Sequence, residues 1–271
     1  MELILEAGRT EREYWKDLWR YRELFFILTW RDVAVQYKQT VVGILWAVLR
    51  PLLTMLAFTF VFGKVANLPS EGTAPYALMV FAAMLPWQLF STALSSSANS
   101  LVSNANLVSK VYFPRVIVPA ASVGVAIVDF CISFVILGLL MVWYQHVPPL
   151  QILTVPLLTL LAGVVSLGPG LILCSLNVTY RDFRIIVPFI TQFGLYVSPV
   201  GFSSSIVPEQ WRLLFECNPM VGVIDGFRWA VLGSVDFPGR ALAISLTCAV
   251  IFMWWGIVIF RKTERTFADV I

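Results

Sequence analysis

Apolar residues fall into six long blocks, at positions 41–62, 74–94, 116–144, 152–178, 185–202 and 241–260, with the polar residues gathered between and before them. A hydrocarbon core of ~30 Å takes about 20 apolar helical residues, so each block is long enough to cross a bilayer. Hydrocarbon offers no water to free N–H and C=O groups, and the blocks lack the alternation of a barrel; an all-α integral membrane fold with six transmembrane helices is predicted. Ahead of the first block, Tyr14, Leu18, Tyr21, Phe25 and Leu28 recur at steps of four and three, and Glu13, Lys16, Asp17, Arg20 and Glu23 occupy the other side. That period is an amphipathic helix. Trp15, Trp19 and Trp30 supply rings suited to the headgroup level, which predicts that this helix lies in the membrane interface. Between the fifth and sixth blocks, Pro208, Asn218-Pro219 and Gly233 interrupt a mostly apolar stretch. Two short helices are expected there, one from Pro208 to about Phe215 and one from Pro219 to Leu232, too short to span and half-inserted on the external side.

Charge adds an orientation. The first 40 residues carry seven Lys/Arg and seven Asp/Glu, whereas positions 41–260 carry nine Lys/Arg. With an even number of crossings, both termini share a face with Lys110, Arg115, Arg181, Arg184, Arg261, Lys262 and Arg265, fourteen basic residues in all, against Lys64, Arg212, Arg228 and Arg240 on the other. The positive-inside rule makes the first face cytoplasmic and the localisation a plasma (inner) membrane, multi-pass. Residues 1–40 are then a cytoplasmic amphipathic interface segment, 41–260 the transmembrane domain and 261–271 a cytoplasmic tail. The run at 24–30 lacks a small-residue cleavage site, so the first crossing itself directs insertion.

Composition agrees: of 271 residues 59% are hydrophobic and 13% charged, against about 25% charged in soluble domains. The net charge of +3, with no run of five like charges, gives no reason to expect nucleic acid. Cys131, Cys174, Cys217 and Cys248 are far apart and read as small hydrophobes, with no metal site. There is no GxxxxGK[ST], HExxH or GxSxG, and the single histidine, His146, sits in a short external turn. ATP hydrolysis by a phosphate loop and the familiar intramembrane hydrolase chemistries therefore lack their residues, and no catalytic residue is assigned. Two charges lie inside blocks, Arg50 and Asp129. Such residues face a partner or a watery path. They lie about 6 Å apart in depth at ~1.5 Å per residue, which leaves open either an Arg50–Asp129 ion pair or an Arg50 that snorkels to the headgroups.

The connection at 104–115 mixes polar caps, a short apolar pattern and the terminator Pro114, and reads as a short helix lying across the cytoplasmic face, available to a partner. Several stretches then resemble one family in order. Trp30-Arg31-Asp32, Tyr37-Lys38-Gln39-Thr40-Val41-Val42-Gly43, Trp46 and Pro51-Leu52 are similar to the first-crossing signature of the permease subunits of type 2 ATP-binding-cassette exporters for O-antigen, capsule and teichoic-acid polymers. Leu85-Pro86-Trp87, Asn106-Leu107-Val108, Phe113-Pro114-Arg115, Tyr180-Arg181-Asp182, Ser198-Pro199, Asn218-Pro219-Met220 and Gly226-Phe227-Arg228-Trp229 follow in the family's order.

The resemblance implies six helices forming one half of a homodimer, and two copies of a separate ATPase subunit that holds ATP and Mg, with no cofactor on this chain. It also implies a lipid-linked glycan as substrate, moved from cytoplasm to the external side. The ATPase docks on the short helix after the second crossing, which makes Asn106, Leu107, Val108 and Lys110, then Val111, Tyr112, Phe113 and Arg115, the coupling residues. A glycan that must slide needs flat aromatic surfaces more than ionic traps. Tyr37, Trp46, Trp87, Phe90 and Tyr196 are the expected path residues, and Pro208, Trp211, Asn218, Pro219 and Arg228 the external gate. A type 2 exporter of small drugs or lipids would share the fold, with a narrow path free of aromatic rings. An intramembrane enzyme would need acidic pairs at the membrane face, and Asp129 alone is not one.

Overall fold

The six apolar blocks resolve into helices on every segment that the computed structural model describes: residues 11–38, 41–72, 74–180, 182–233, 236–264 and Phe267, with backbone alone at 11–13, 41–44, 46 and 47. The Trp46 side chain, Arg181 and Arg265 lie outside the described residues. In chain order the helices are α1 (Glu11–Arg20), α2 (Arg22–Tyr37), α3 (Val41–Phe58), α4 (Tyr76–Ser103), α5 (Ala105–Lys110), α6 (Ile117–Trp143), α7 (Val155–Thr179), α8 (Phe183–Val197), α9 (Glu209–Glu216), α10 (Pro219–Leu232) and α11 (Gly239–Thr263). A π-helical stretch, Thr59–Val65, extends α3. No strand occurs among the described residues.

Among the described residues, five helices are long and apolar enough to cross a membrane: Val48–Val65, Tyr76–Ser103, Ile117–Trp143, Leu150–Thr179 and Gly239–Thr263. The fifth expected crossing, at 185–202, is instead the 15-residue α8, about 22 Å of helix. It stops because Ser198 turns extended ahead of Pro199, whose ring disfavours the α region in the residue before it.

Packing centres on α4, whose residues 77–87 are all buried. Around it stand α6, α7 and α10, with α3 and α8 on its remaining flank and α11 behind α7 and α10. Alternating helix directions give the bundle two ends. One, the basic end, gathers α1, α5, the start of α6 and the last turns of α7 and α11; the other, the loop end, gathers the 59–76, 143–155 and 198–240 connections. The α7–α11 contact is close enough to require glycine: a Cβ on Gly168 would stand 2.6 Å from the Phe252 carbonyl carbon, and one on Gly256 would press on the Gly168 carbonyl.

The predicted amphipathic face is the packed one. Leu28 is buried, Tyr14, Leu18, Tyr21 and Phe25 are half-buried, and Trp15, Trp19 and Trp30 are exposed. The helix breaks at Tyr21 and then runs on along α6: Thr29 Oγ1 donates to the Ala121 carbonyl at 3.3 Å, and eight residues later Tyr37 reaches Asp129. Asp129 lies twelve residues beyond the start of α6, so the far end of α2 stands ~18 Å along the bundle.

At the loop end, α9 and α10 begin after Pro208 and at Pro219, as the proline signals predict. Asn218 caps α10 by accepting from the Met220 amide at 3.0 Å, and Gly233, at φ 66°, closes it in the left-handed conformation that lacks a Cβ penalty. Apart from Trp229, all of α10 from Met220 to Leu232 is buried against α4, α7 and α11.

Candidate coupling surface and translocation path

The short helix α5 divides its residues between anchor and surface. Val108 and Phe113 are buried in a small core with Leu28, Leu101, Ile117 and Phe260, and Leu107 packs half-buried against it. Asn106, Lys110, Val111 and Tyr112 face outward, the last two 52% and 55% exposed. The helix ends at Lys110, earlier than expected, because Val111 is extended. Both ends of the segment are fastened. Arg31 Nη2 on α2 donates to Asn104 Oδ1 at 2.7 Å. Arg115 donates its backbone N–H to Glu264 Oε1 at 2.8 Å and its guanidinium to the Glu264 carbonyl at the end of α11. Burial raises the Glu264 carboxyl above the ordinary range, against the pull of the Arg115 amide. Sequence reasoning missed Arg31 and Glu264, whose roles arise from contacts 73 and 149 positions apart.

Along α4 runs a polar stripe that breaks its apolar character: Gln88, Ser91, Thr92, Ser95, Ser96 and Asn99, none of them fully buried. Its upper part, with Gln36, Arg50, Asp129 and Ser133, lines a cavity of about 280 Å³ between α2, α3, α4 and α6. Arg50 and Asp129 therefore share a cavity, but among the described residues no ion pair joins them. Asp129 accepts hydrogen bonds from the Tyr37 hydroxyl and from Gln36 Nε2, the latter at 3.2 Å. A cavity with hydroxyl, amide, guanidinium and carboxylate groups suits a ligand rich in hydroxyls. The three-and-four spacing of Gln88, Ser91, Thr92, Ser95 and Asn99 was a readable signal that the apolar average of the segment concealed.

The aromatic candidates separate. Trp87 is only 5% exposed, with its ring against Gly194 of α8 and 5.3 Å from the Phe90 ring, which is buried too. Both are packing residues within this chain. Tyr196 is 63% exposed and continues an outward row on α8 with Ile185, Phe189 and Phe193. The Phe189 and Phe193 rings stack at 5.8 Å and 10°. The four-residue spacing of those two phenylalanines marks the row in the sequence. Changing Phe193 and Tyr196 together to Leu keeps the face apolar but removes the flat rings; transport is expected to fall several-fold with folding intact, whereas Trp87→Leu is expected to lower stability by about 2 kcal/mol by opening a cavity between α4 and α8. Thermal unfolding and transport assays on the same preparations separate the two outcomes.

Of the residues expected at an external gate, Trp211 is exposed on α9 and Pro208 precedes that helix. Asn218 also donates to Ser198 Oγ at 2.9 Å, which ties the start of α10 to the end of α8. Arg228 is not a free external charge: it is 0% exposed, and donates to Glu71 Oε1 at 3.2 Å and to the carbonyls of Phe202 and Val200 at 3.0 and 3.3 Å.

The sequence profile of the ABC-2 type transporter family matches residues 23–232. The chain is 25% identical over 251 residues to the O-antigen export system permease protein RfbA of Klebsiella pneumoniae, covering 92% of this chain and 95% of that one. It is 26% identical over 259 residues to the Myxococcus xanthus protein of the same name, with 94% and 97% covered. The polysialic acid transport protein KpsM of Escherichia coli is 22% identical over 240 residues, with 87% and 91% covered. With a bundle of apolar helices, a polar stripe along its central member and a profile match over most of its length, the chain belongs to the ABC-2 type transporter family.

Proposed function

We propose that this protein is the permease subunit of an ATP-driven exporter that carries a lipid-linked polysaccharide of the O-antigen type from the cytoplasm across the inner membrane. The observation that carries the reading is the end-to-end similarity to O-antigen export permeases. The polar stripe of α4, flanked by the outward faces of α3 and α8, supports it, because two copies placed face to face there would enclose a hydroxyl-lined path. In this arrangement α8 is a short fifth crossing and α11 the sixth, α1 and the start of α2 lie at the cytoplasmic interface, both termini are cytoplasmic, and α9 and α10 close the external end. ATP and Mg belong to a separate ATPase subunit, two copies of which press on Asn106, Lys110, Val111 and Tyr112. Export of small drugs or lipids is disfavoured by the stacked aromatic row on α8.

The test is transport into inverted membrane vesicles that contain the permease, with the ATPase subunit, ATP and labelled lipid-linked O-antigen added outside. Polymer should accumulate in the lumen only with ATP. A Val111→Asp permease should bind the ATPase at least about 10-fold more weakly, since a charge entering an apolar groove loses its hydration. Full ATPase binding and export by that variant, or accumulation without ATP, would reject the mechanism.

A further inference from the structure

A second cavity, of about 460 Å³, lies at the basic end between α1 and α2 on one side and α6, α7 and α11 on the other, and shares no lining residue with the polar path. Its walls are apolar: Leu18 and Phe25 face Ile117 and Ala120 of α6, Leu171 of α7 and Ile257 of α11. Its size falls in the range of roughly 300–1,000 Å³ typical of small-molecule sites. Water gains little there, because it needs two to four polar partners and these walls supply almost none. Yet charge stands at its edge. Arg22 and Arg261 line the cavity, each over an aromatic ring that lines it as well: the Arg22 guanidinium is 5.4 Å from the Trp19 ring centre, and that of Arg261 is 4.8 Å from the Tyr14 ring centre.

An occupant of this groove must be apolar along its length and anionic at one end. We propose that it is an anionic phospholipid of the bilayer: one acyl chain lies between α2 and the α6–α7–α11 wall, and the headgroup phosphate sits against Arg22 and Arg261. Charge complementarity selects the lipid class, since guanidinium groups bind phosphate oxygens by charge-assisted hydrogen bonds, and basic residues near a membrane surface attract acidic lipids. The exposed Trp15 and Trp19 at the same edge suit headgroup depth. The lipid would then be a wedge that sets how the N-terminal helices seat on the bundle. The inference rests on the membrane setting and on the placement of the basic end at a bilayer face; it does not depend on which substrate is exported.

Native mass spectrometry of the delipidated full-length permease, titrated with dioleoyl phosphatidylglycerol or dioleoyl phosphatidylcholine, reads the site directly. One phosphatidylglycerol per protomer should be retained at a concentration at least about 10-fold below that needed for phosphatidylcholine. Ala120→Phe fills the groove and should abolish that retention, and Arg22→Gln, an exposed change that spares the fold, should bring phosphatidylglycerol down to the level of phosphatidylcholine. Equal retention of the two lipids by the wild type overturns the proposal, as does undiminished retention in Arg22→Gln or in a folded Ala120→Phe. Unchanged lipid retention with loss of ATPase co-purification in Ala120→Phe would assign the groove to the partner protein instead. None of these readouts involves polysaccharide, so a failure of the export reading leaves the result intact.

Discussion

Replacing Arg228 by Met is expected to remove most folded permease from the membrane. Its guanidinium is wholly buried and holds three acceptors, Glu71 and the carbonyls of Phe202 and Val200, which together fasten the 198–203 turn and the 59–76 connection to α10. Methionine fills similar space but leaves the Glu71 side chain, 10% exposed, without its counter-charge. Breaking a buried pair in this way costs about 3–5 kcal/mol, much of the ~5–15 kcal/mol by which folded proteins exceed their unfolded states. Adding Glu71→Gln should restore part of the loss, because the orphaned charge goes with it. The measurement is the thermal midpoint and yield of detergent-solubilised protein for the two single variants and the double; an Arg228→Met protein with the wild-type midpoint would show that the bonds described do not hold the loop end together.

The second large effect is expected at the α7–α11 crossing. A Cβ at Gly168 or Gly256 meets main-chain atoms of the facing helix, which cannot swing aside as a side chain can. Helices in a bilayer rely on such small residues for close packing, because lipid removes most of the hydrophobic drive between them. Gly256→Leu should therefore force α11 away from α7 and cost more than the roughly 1–3 kcal/mol of ordinary overpacking. Even Gly256→Ala should be measurably destabilised. Gly138 on α6 is the control, since a Cβ there meets nothing within 4 Å. Gly138→Ala is expected to leave the thermal midpoint unchanged or slightly raised. A Gly256→Leu protein as stable as the Gly138→Ala control would refute the close crossing.

Much of this architecture was legible because it follows from local patterns. Runs of apolar residues gave the long helices, Pro219 after Asn218 gave the start of α10, and the Tyr14 to Leu28 period gave the packed face of the N-terminal helices. What escaped the sequence depends on packing between distant segments. Arg228 counts as an external positive charge by position, but α10 carries it inside. Asp129 and Arg50 look like partners by depth, yet α2 brings Tyr37 and Gln36, 92 and 93 positions away, onto the carboxylate first. Trp87 and Tyr196 are alike as aromatic residues of apolar segments, and only the packed structure sets Trp87 against Gly194 and leaves Tyr196 exposed. The 104–115 segment shows both cases: the position of its short helix was readable, whereas its early end at Lys110 and the division between buried Val108 and Phe113 and outward Val111 and Tyr112 needed the facing core.

The Arg228–Glu71 bond also orders the biogenesis of the protein. Its partners are 157 residues apart in the chain. At a synthesis rate of about 5–20 residues per second, Glu71 waits on the order of ten to thirty seconds before its partner has been made. Throughout that interval the carboxylate lacks the counter-charge it has in the folded protein, so this contact of the loop end is not yet made. Closure comes only when α10, and then α11 behind it, have left the ribosome. The loop end of this protein thus completes this contact late in synthesis, and a chain truncated before α10 would leave Glu71 without its counter-charge.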